Sequence, residues 1–169
     1  MEISRIWRFL FRRRPYLFPF QNQFSPMTYD ALFQLANALV LPQWLLIWFA
    51  PRWRFTRKLV YSLLIPALLG GLYVYLLATA SSPIDPRDFG SWTGVKKLFS
   101  GGSDASLLAG WVHYLAFDLL AGSWVWQDAQ ERSIAPGWVL VPLFFCFLLG
   151  PVGVLLYAGL RLFLGGKRL

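Results

Sequence analysis

The sequence predicts an all-α polytopic membrane protein with four transmembrane helices and two short interfacial helices, one at the N-terminus and one in the second loop. Three observations lead to this prediction. Hydrophobic residues fill 57% of the 169 positions, the mean hydropathy is +0.49, and the apolar residues gather in four long runs. Each run reaches the roughly 20 residues that a helix needs to cross a bilayer. A soluble domain would hold fewer apolar residues, and a protein with one anchor would hold them in one place.

The first element is a basic segment that forms the N-terminal part of the chain, 1–29. Ile3, Ile6, Trp7 and Leu10 follow the spacing of one helix face, and arginines fill much of the rest. This pattern predicts an amphipathic helix in the plane of the lipid headgroups, with an unstructured basic tail as the alternative. The segment has neither a signal-peptide pattern nor the composition of a plastid transit peptide.

The transmembrane domain is predicted at 30–160. Its four spans are expected at 30–50, 58–80, 107–126 and 138–160. Prolines lie inside three of them, at Pro42, Pro66, Pro142 and Pro151. An interior proline removes one helical hydrogen bond and clashes with the carbonyl group four residues earlier. These spans should therefore be kinked and should leave backbone acceptors for neighbouring helices or a ligand.

The loops carry most of the basic residues. In the second loop, 81–106, Trp92, Val95 and Phe99 share one helical face, which predicts the second interfacial helix. The chain ends in a basic tail, 161–169. Lys and Arg number five in the N-terminal segment, four in the first loop, three in the second, one in the third and three in the tail. With four crossings, this count places both termini on the cytoplasmic or stromal side.

The charge and the metal-binding residue types limit the function. The net charge of +8 comes from segments between the apolar runs, so it indicates contact with lipid phosphates and not with nucleic acid. One histidine and one cysteine, Cys146, cannot form a zinc site or a two-His-one-carboxylate iron centre, and the Glu-x-x-His pairs of di-iron bundles are absent. We expect no metal and no cofactor. A bound carotenoid stays open, as does a chlorophyll or haem that needs one axial histidine.

The third span, within GWVHYLAFDLLAGSWVWQDAQER (110–132), holds the two polar groups that most need an explanation, His113 and Asp118. A charged side chain at the bilayer centre costs roughly 2.5–3.5 kcal/mol on insertion scales. Asp118 must therefore face the bundle interior, either protonated or paired. On a helix the two groups lie about 7.5 Å apart along the axis and about 140° apart around it, so they do not pair directly.

Two interpretations of Asp118 stay open. It is either a polar clamp that fixes the register of the helices or a group that acts in acid/base chemistry or ligand binding. His113 is either an interfacial hydrogen-bonding group or the counterpart of Asp118 in that chemistry. Asp128 and Glu131 are further catalytic candidates after these two, but salt bridges with the basic first loop are the simpler expectation for them. The candidates for ligand binding are Trp111, Phe117, Trp124 and Asn37.

Three stretches resemble a known family: NALVLPQWLLIWFAPRWRFTR in the first span, the third-span segment above, and PLFFCFLLGPVGVLLY in the fourth. Together they are similar to the membrane protein family typified by the plant protein needed for neoxanthin formation, which is mutated in an abscisic-acid-deficient plant. The resemblance covers most of 30–160. Its most specific elements are the LPQWLL…APRW run, Trp111-Val112-His113 with Asp118 and Asp128, and the Gly150-Pro151-Val152-Gly153 turn.

The resemblance implies a protein of xanthophyll metabolism that isomerises a carotenoid 5,6-epoxide to an allenic alcohol without a cofactor. Asp118 would be the deep acid/base group and His113 its counterpart near the interface. The alternative is a non-enzymatic pigment-binding subunit or assembly factor of a photosynthetic membrane complex. The expected partners are the lipid bilayer, a carotenoid, and either a larger photosynthetic complex or a second copy in a homodimer. Because the N-terminal segment departs from the transit peptides of the plant members, the resemblance implies a cyanobacterial or other bacterial member. The expected location is the thylakoid or plasma membrane of a cyanobacterium-like cell, with a plastid membrane as the alternative.

Overall fold

The structure, a computed structural model, describes residues 27–81, 85–100 and 102–164. Its elements are α1 (Tyr29–Phe49), α2 (Arg54–Ser62), α3 (Leu64–Thr79), a 3₁₀ turn (Pro86–Gly90), α4 (Trp92–Ser100), α5 (Asp104–Glu131) and α6 (Pro136–Leu164). These residues form no strand, so the prediction of an all-α protein is confirmed. The predicted N-terminal helix lies outside the described residues.

Four helical stretches are long and apolar enough to cross a membrane, as predicted. They are Tyr29–Phe49, Arg54–Thr79, Asp104–Glu131 and Pro136–Leu164. The second stretch comprises α2 and α3. Helix α5 has 28 residues and extends beyond the predicted span at both ends, because its polar first and last turns continue the helix past the apolar part. It begins at the N-cap Ser103, whose side chain accepts a hydrogen bond from the Ser106 N–H.

Helix α5 forms the centre of the bundle. Helix α1 runs parallel to it, because Asn37 contacts Trp111 near the start of both helices and Gln43 contacts Ser123 further along. Helix α3 runs the opposite way, since its last turns pack beside the first turns of α5. Lipid tails are as apolar as leucine, so close packing and interhelical hydrogen bonds hold such a bundle together. The largest fully buried side chains include Trp44, Tyr157, Ile47, Leu69, Leu76 and Leu119.

The break between α2 and α3 follows from Pro66. In a continuous helix its ring would clash with the carbonyl group of Ser62, four residues earlier. The chain turns at Leu63 instead, which adopts the left-handed conformation (φ 54°, ψ 17°). Pro66 then falls in the first turn of α3, where its missing N–H is not needed. Across the break, the Leu64 N–H donates to Ser62 Oγ at 3.3 Å.

Helix α6 folds back on itself at Leu149, where the backbone is non-helical (φ −151°, ψ 69°). Gly153 lies so close to Cys146 that a side chain at the glycine would overlap the cysteine backbone. Residues seven positions apart in one straight helix would be separated by about 10 Å along the axis. The two arms of α6, 136–148 and 150–164, therefore form a helical hairpin, whose turn at 148–150 we call the tip.

The course of the second arm confirms the hairpin. Arg161 and Tyr157 both contact Asp128, which lies only a few residues before the first arm begins at Pro136. In a straight helix Arg161 would lie about 37 Å from Pro136. Each arm is roughly 20 Å long, less than the 30 Å of the hydrocarbon core. The tip therefore lies within the membrane, and α6 begins and ends at the same end of the bundle.

Proline again explains the position of the turn. Pro151 would clash with the carbonyl group of Phe147 in a continuous helix, and the break at Leu149 separates the two. The other interior prolines, Pro42 and Pro142, lie within helices and have no such break beside them. The predicted distortions therefore occur at two of the four prolines, where they are sharper than simple kinks.

The hairpin changes the charge count behind the predicted orientation. The chain leaves α6 at the end of the bundle where the first and third loops lie. When the three basic residues of the tail are counted with those loops, each side of the membrane has eight Lys and Arg residues. The prediction that both termini share the cytoplasmic or stromal side assumed four end-to-end crossings. Equal counts of Lys and Arg on the two sides give no support for that orientation.

The predicted helix in the second loop is confirmed as α4. The 3₁₀ turn packs against it, because Gly94 lies against the backbone of Asp88, and Lys97 Nζ donates to Asp88 Oδ2 at 3.1 Å. Trp92 and Phe99 are exposed on the surface. The ring of Phe99 also faces Gly110 in the first turns of α5. Its place at the membrane interface stays a prediction.

Candidate functional site

Asp118 lies in the middle of α5, directly against the tip of the hairpin. Only 6% of the residue is exposed. Its carboxylate faces the backbone of Gly150, and any side chain at Gly150 would overlap it. The second carboxylate oxygen, Oδ2, has no hydrogen-bond partner among the described residues. A buried polar atom without a partner costs about 1–3 kcal/mol, so this oxygen requires a proton or a ligand.

The tip supplies polar backbone groups at this depth. The second arm begins at Gly150, and the first N–H groups of a helix have no partner within the helix. The N–H of Gly150 is directed at the Asp118 carboxylate. The partial positive charge of a helix N-terminus favours a negative group there. Irregular backbone is tolerated inside a membrane only where protein buries it or where it lines a cavity.

Tyr114 completes the group of polar side chains at the tip. It lies one turn before Asp118, and residues four apart share one face of a helix. Its hydroxyl donates to the carbonyl oxygen of Leu148, the last residue of the first arm. The same hydroxyl also faces the Asp118 carboxylate. A phenol and a carboxyl group therefore meet at the tip.

An apolar groove leads from the end of the bundle towards this pair. It has a volume of about 690 Å³ and lies between the first turns of α1 and α5, with α4 beside it. Its walls include Phe33, Phe99, Leu107 and Trp111, and Tyr114 is the lining residue closest to Asp118 along α5. This volume lies within the range of about 300–1,000 Å³ that small-molecule sites occupy.

Two of the predicted ligand-binding residues belong to this groove. The indole Nε1 of Trp111 donates to Asn37 Oδ1 at 3.4 Å, and Asn37 Nδ2 donates to the Phe33 carbonyl oxygen at 2.7 Å. The centre of the Trp111 ring system lies 5.7 Å from that of Phe33 and 5.6 Å from that of Tyr114. Trp111 therefore connects α1 with the phenol at the tip.

His113 lies on a different side of α5 from Asp118. Its ring stacks on Phe117 with a centroid distance of 4.4 Å, and it lies 5.6 Å from the ring of Tyr73. It lines a second cavity of about 280 Å³ beneath α4. Within the described residues its ring nitrogens form no hydrogen bond. The structure does not bring His113 and Asp118 together; the phenol of Tyr114 stands beside the carboxylate instead.

Asp128 has cationic and hydrogen-bonding partners on its Oδ2 atom, in contrast to Asp118. Its Oδ2 accepts hydrogen bonds from Tyr157 Oη at 2.7 Å and from Arg132 Nε at 2.8 Å, and it lies 3.6 Å from Arg161 Nε. These partners come from the end of α5 and from the second arm. The prediction of a salt bridge between Asp128 and the first loop is therefore wrong, because the hairpin returns Arg161 to this position.

The remaining predicted residues lie outside the groove. Glu131 is exposed at the end of α5 and forms no ion pair within the described residues. The ring of Trp124 meets that of Tyr157 edge-on at 5.6 Å, so it packs against the Asp128 cluster. Phe117 is exposed beside His113.

The polar clamp that fixes helix register is formed by other residues. Gln43 Nε2 donates to Ser123 Oγ at 2.8 Å in the buried contact between α1 and α5. Beside this hydrogen bond, Gly122 of α5 packs against Trp44 of α1. The glycine has no side chain and so leaves room for the ring of Trp44. Asp118 forms no hydrogen bond with Gln34, Asn37 or Gln43, the residues of α1 that carry amide side chains. It is therefore not needed as a clamp between α5 and α1.

Sequence reasoning missed Tyr114, and it named a turn at Gly150-Pro151-Val152-Gly153 without predicting that the chain reverses there. The signal for Tyr114 was its spacing of four residues before Asp118. The signal for the tip was the Gly150-Pro151 dipeptide inside an apolar run, because a glycine followed by a proline indicates a turn.

These features define a class of protein: a polytopic α-helical membrane protein with a buried carboxyl group beside a broken helix. The chain belongs to the ABA DEFICIENT 4-like family, whose model matches residues 31–157. The family resemblance predicted from the sequence is thereby confirmed. The chain is also 31% identical over 132 residues to the protein ABA DEFICIENT 4, chloroplastic, from Arabidopsis thaliana. That match covers 74% of this chain and 58% of the relative, so the chain spans little more than half of the relative's length. No solved structure matches.

Proposed function

We propose that this protein acts in carotenoid metabolism as a membrane-embedded, cofactor-free isomerase that converts a xanthophyll epoxide into an allenic alcohol. Membership in the ABA DEFICIENT 4-like family and the chloroplastic relative support a role of this kind. The observation that carries the proposal is the carboxyl group of Asp118, which is buried and has one oxygen without a partner among the described residues.

The chemistry of the reaction fits this group. Opening an epoxide to an allenic alcohol changes no oxidation state overall, so it needs no redox cofactor. It needs a base that removes a proton from the polyene carbon next to the ring, and an acid that protonates the epoxide oxygen. In this proposal Asp118 is the acid/base group, and it lies against the tip of the hairpin. The N–H groups at the start of the second arm would stabilise the negative charge that Asp118 needs when it acts as the base.

The shape of the site fits a long apolar substrate with one polar end. The groove offers aromatic and aliphatic walls, with Tyr114 at the end near the tip and Asp30 and Asp104 at the first turns of α1 and α5. A carotenoid would place its polyene chain along Phe33 and Trp111 and its epoxide ring at the tip. Small-molecule sites commonly combine apolar walls with a few polar groups that fix the orientation of the ligand.

The test is the replacement Asp118→Asn in cells that supply a carotenoid 5,6-epoxide, with the pigments separated by chromatography. Asparagine keeps the size of the side chain and removes its acid/base function, so conversion should fall by about 10²–10⁴-fold. Asp85→Asn, on the exposed 3₁₀ turn, is the matched control and should convert at the wild-type rate. Conversion by the Asp118→Asn protein at that rate would contradict the proposal.

A second candidate function is a non-enzymatic pigment-binding subunit of a photosynthetic membrane complex. It is favoured by His113, which has no hydrogen bond on its ring nitrogens within the described residues and lines a cavity. An imidazole without other partners could serve as an axial ligand for a chlorophyll. The protein purified from a thylakoid or plasma membrane in mild detergent would then carry chlorophyll and migrate with a large complex, and His113→Leu would lose the pigment. A small protein or homodimer without chlorophyll would count against this function.

A further inference from the structure

We propose that Tyr114 is the proton donor that acts with Asp118, so that the two side chains pass one proton back and forth within the membrane. This inference rests on the isomerase function proposed above and assigns the acid that the reaction needs. His113 cannot serve as that acid in this arrangement, because it faces a separate cavity on another side of α5.

The position of the Tyr114 hydroxyl carries the inference. The Tyr114 side chain lines the groove, where a substrate ring would lie, and its hydroxyl meets the tip at Leu148, two residues before the Gly150 backbone that lies against the Asp118 carboxylate. Its present acceptor is the Leu148 carbonyl oxygen at the tip. A substrate oxygen that enters this space meets the hydroxyl before it meets the buried carboxylate. The other proton-bearing side chain at the tip, the Cys146 thiol, points at the Gly150 carbonyl oxygen at 3.9 Å and away from the groove.

The step balances without a co-reactant. Asp118 takes the proton from the first polyene carbon, and the electrons of that carbon–hydrogen bond form a double bond to the neighbouring ring carbon. The bond between this ring carbon and the epoxide oxygen breaks, and the oxygen keeps its electron pair. Tyr114 donates its proton to that oxygen, which stays on the other ring carbon as a hydroxyl group. The product is an allene with one new alcohol.

The same geometry restores the site. After the step Asp118 holds a proton and Tyr114 is a phenolate, and the two groups face each other one helical turn apart. Transfer of the proton from the carboxyl group to the phenolate regenerates both groups. No water is needed for this transfer, which suits a pair in the interior of a membrane protein.

The experiment uses the purified full-length protein in lipid vesicles with a carotenoid 5,6-epoxide, and it measures kcat and KM separately. Tyr114→Phe should lower kcat by about 10²-fold or more and leave KM within a few-fold, because the aromatic ring stays and only the acid is lost. A substrate deuterated at the first polyene carbon should react more slowly with the wild type. Tyr75→Phe, an exposed tyrosine on α3, is the matched control and should behave as wild type.

A second measurement separates proton donation from a merely structural hydrogen bond at the tip. A fluorotyrosine at position 114 keeps the hydroxyl and the size of the ring but makes the phenol more acidic. A proton donor in the slow step should then give a higher kcat, whereas an unchanged or lower kcat would overturn the assignment. Wild-type kcat in Tyr114→Phe beside an inactive Asp118→Asn would also overturn it and leave the isomerase intact. No conversion by the wild type would overturn both proposals.

Discussion

Two aspartates on one helix have opposite surroundings. Asp118 meets the tip of the hairpin and Asp128 meets its second arm, about 15 Å further along α5. The Oδ2 atom of Asp128 accepts two hydrogen bonds and lies near a second arginine, whereas the Oδ2 atom of Asp118 has no partner among the described residues. The same fold thus surrounds the Oδ2 atom of Asp128 with donors and leaves the Oδ2 atom of Asp118 without one.

The difference separates a structural role from the proposed chemical one. Three donors surround the Oδ2 atom of Asp128, and two of them, from Tyr157 and Arg161, tie the second arm to α5. An incompletely paired carboxylate lowers the stability of the fold, and such groups concentrate where proteins bind or transform ligands. The comparison therefore predicts that Asp128 affects stability and that Asp118 affects conversion.

The largest effect on stability is expected for Asp128→Ala. The change leaves Arg132, whose side chain is only 17% exposed, and Arg161 without their carboxylate. Loss of one partner from a buried ion pair destabilises a protein by about 3–5 kcal/mol, and the partial exposure here lowers this to about 3 kcal/mol. Thermal unfolding in detergent, followed by tryptophan fluorescence, measures the change. Unfolding at the wild-type temperature would contradict the structural role of this cluster.

A smaller effect is expected for Gly150→Ala, which tests the region around Asp118. The added methyl group would overlap the Asp118 carboxylate, so the tip must shift, at a cost of about 1–3 kcal/mol. Conversion of the epoxide should fall strongly at the same time, because the acid/base pair loses its alignment. Gly159→Ala is the matched control on the same arm, since no atom lies near an added methyl group there. Equal conversion by both variants would show that the tip does not position Asp118.

Tyr157→Phe should have a modest effect. It removes the hydrogen bond to Asp128 at 2.7 Å but keeps the buried ring and both arginines. The expected loss is about 1 kcal/mol, the usual contribution of one hydrogen bond, and a little more for a charged acceptor. Conversion measured per folded molecule should stay at the wild-type level. A strong loss of conversion would place Tyr157 in the chemistry and weaken the contrast between the two aspartates.

The smallest effect on stability is expected for Asp118→Asn. This carboxylate has no cationic partner among the described residues, so its loss breaks no ion pair and the free energy of unfolding should change by less than about 1 kcal/mol. The unfolding temperature of the variant is the measurement. A large drop would mean that the carboxylate holds the tip in place, and it would make the loss of conversion an indirect effect.

Much of the fold could be predicted because the membrane imposes it. An apolar run of this length has few stable solutions other than a helix, so four helical stretches and their approximate limits followed from hydropathy. The burial of Asp118 followed from the same argument, since a carboxyl group avoids lipid. The helix α4 was predicted from the shared face of Trp92, Val95 and Phe99.

The hairpin could not be predicted in this way. Hydropathy counts the 29 residues of α6 as one long crossing, because both arms are equally apolar. Glycine and proline at 150 and 151 indicated an irregularity, but a kink and a reversal give the same pattern in the sequence. The partners of Asp128 were missed for the same reason, since Arg161 reaches it only when the chain turns back. Tyr114 was missed because its role depends on the carbonyl group that the turn exposes.

The hairpin also has a consequence for how the chain enters its membrane. A segment that turns back at Leu149 carries no loop across the bilayer, so insertion of α6 requires no translocation of a hydrophilic stretch. Neither arm of α6 is long enough to cross the bilayer alone. The two arms must therefore stay together until the turn docks against α5. The carboxyl group of Asp118 then becomes enclosed only when α6 has been synthesised and docked.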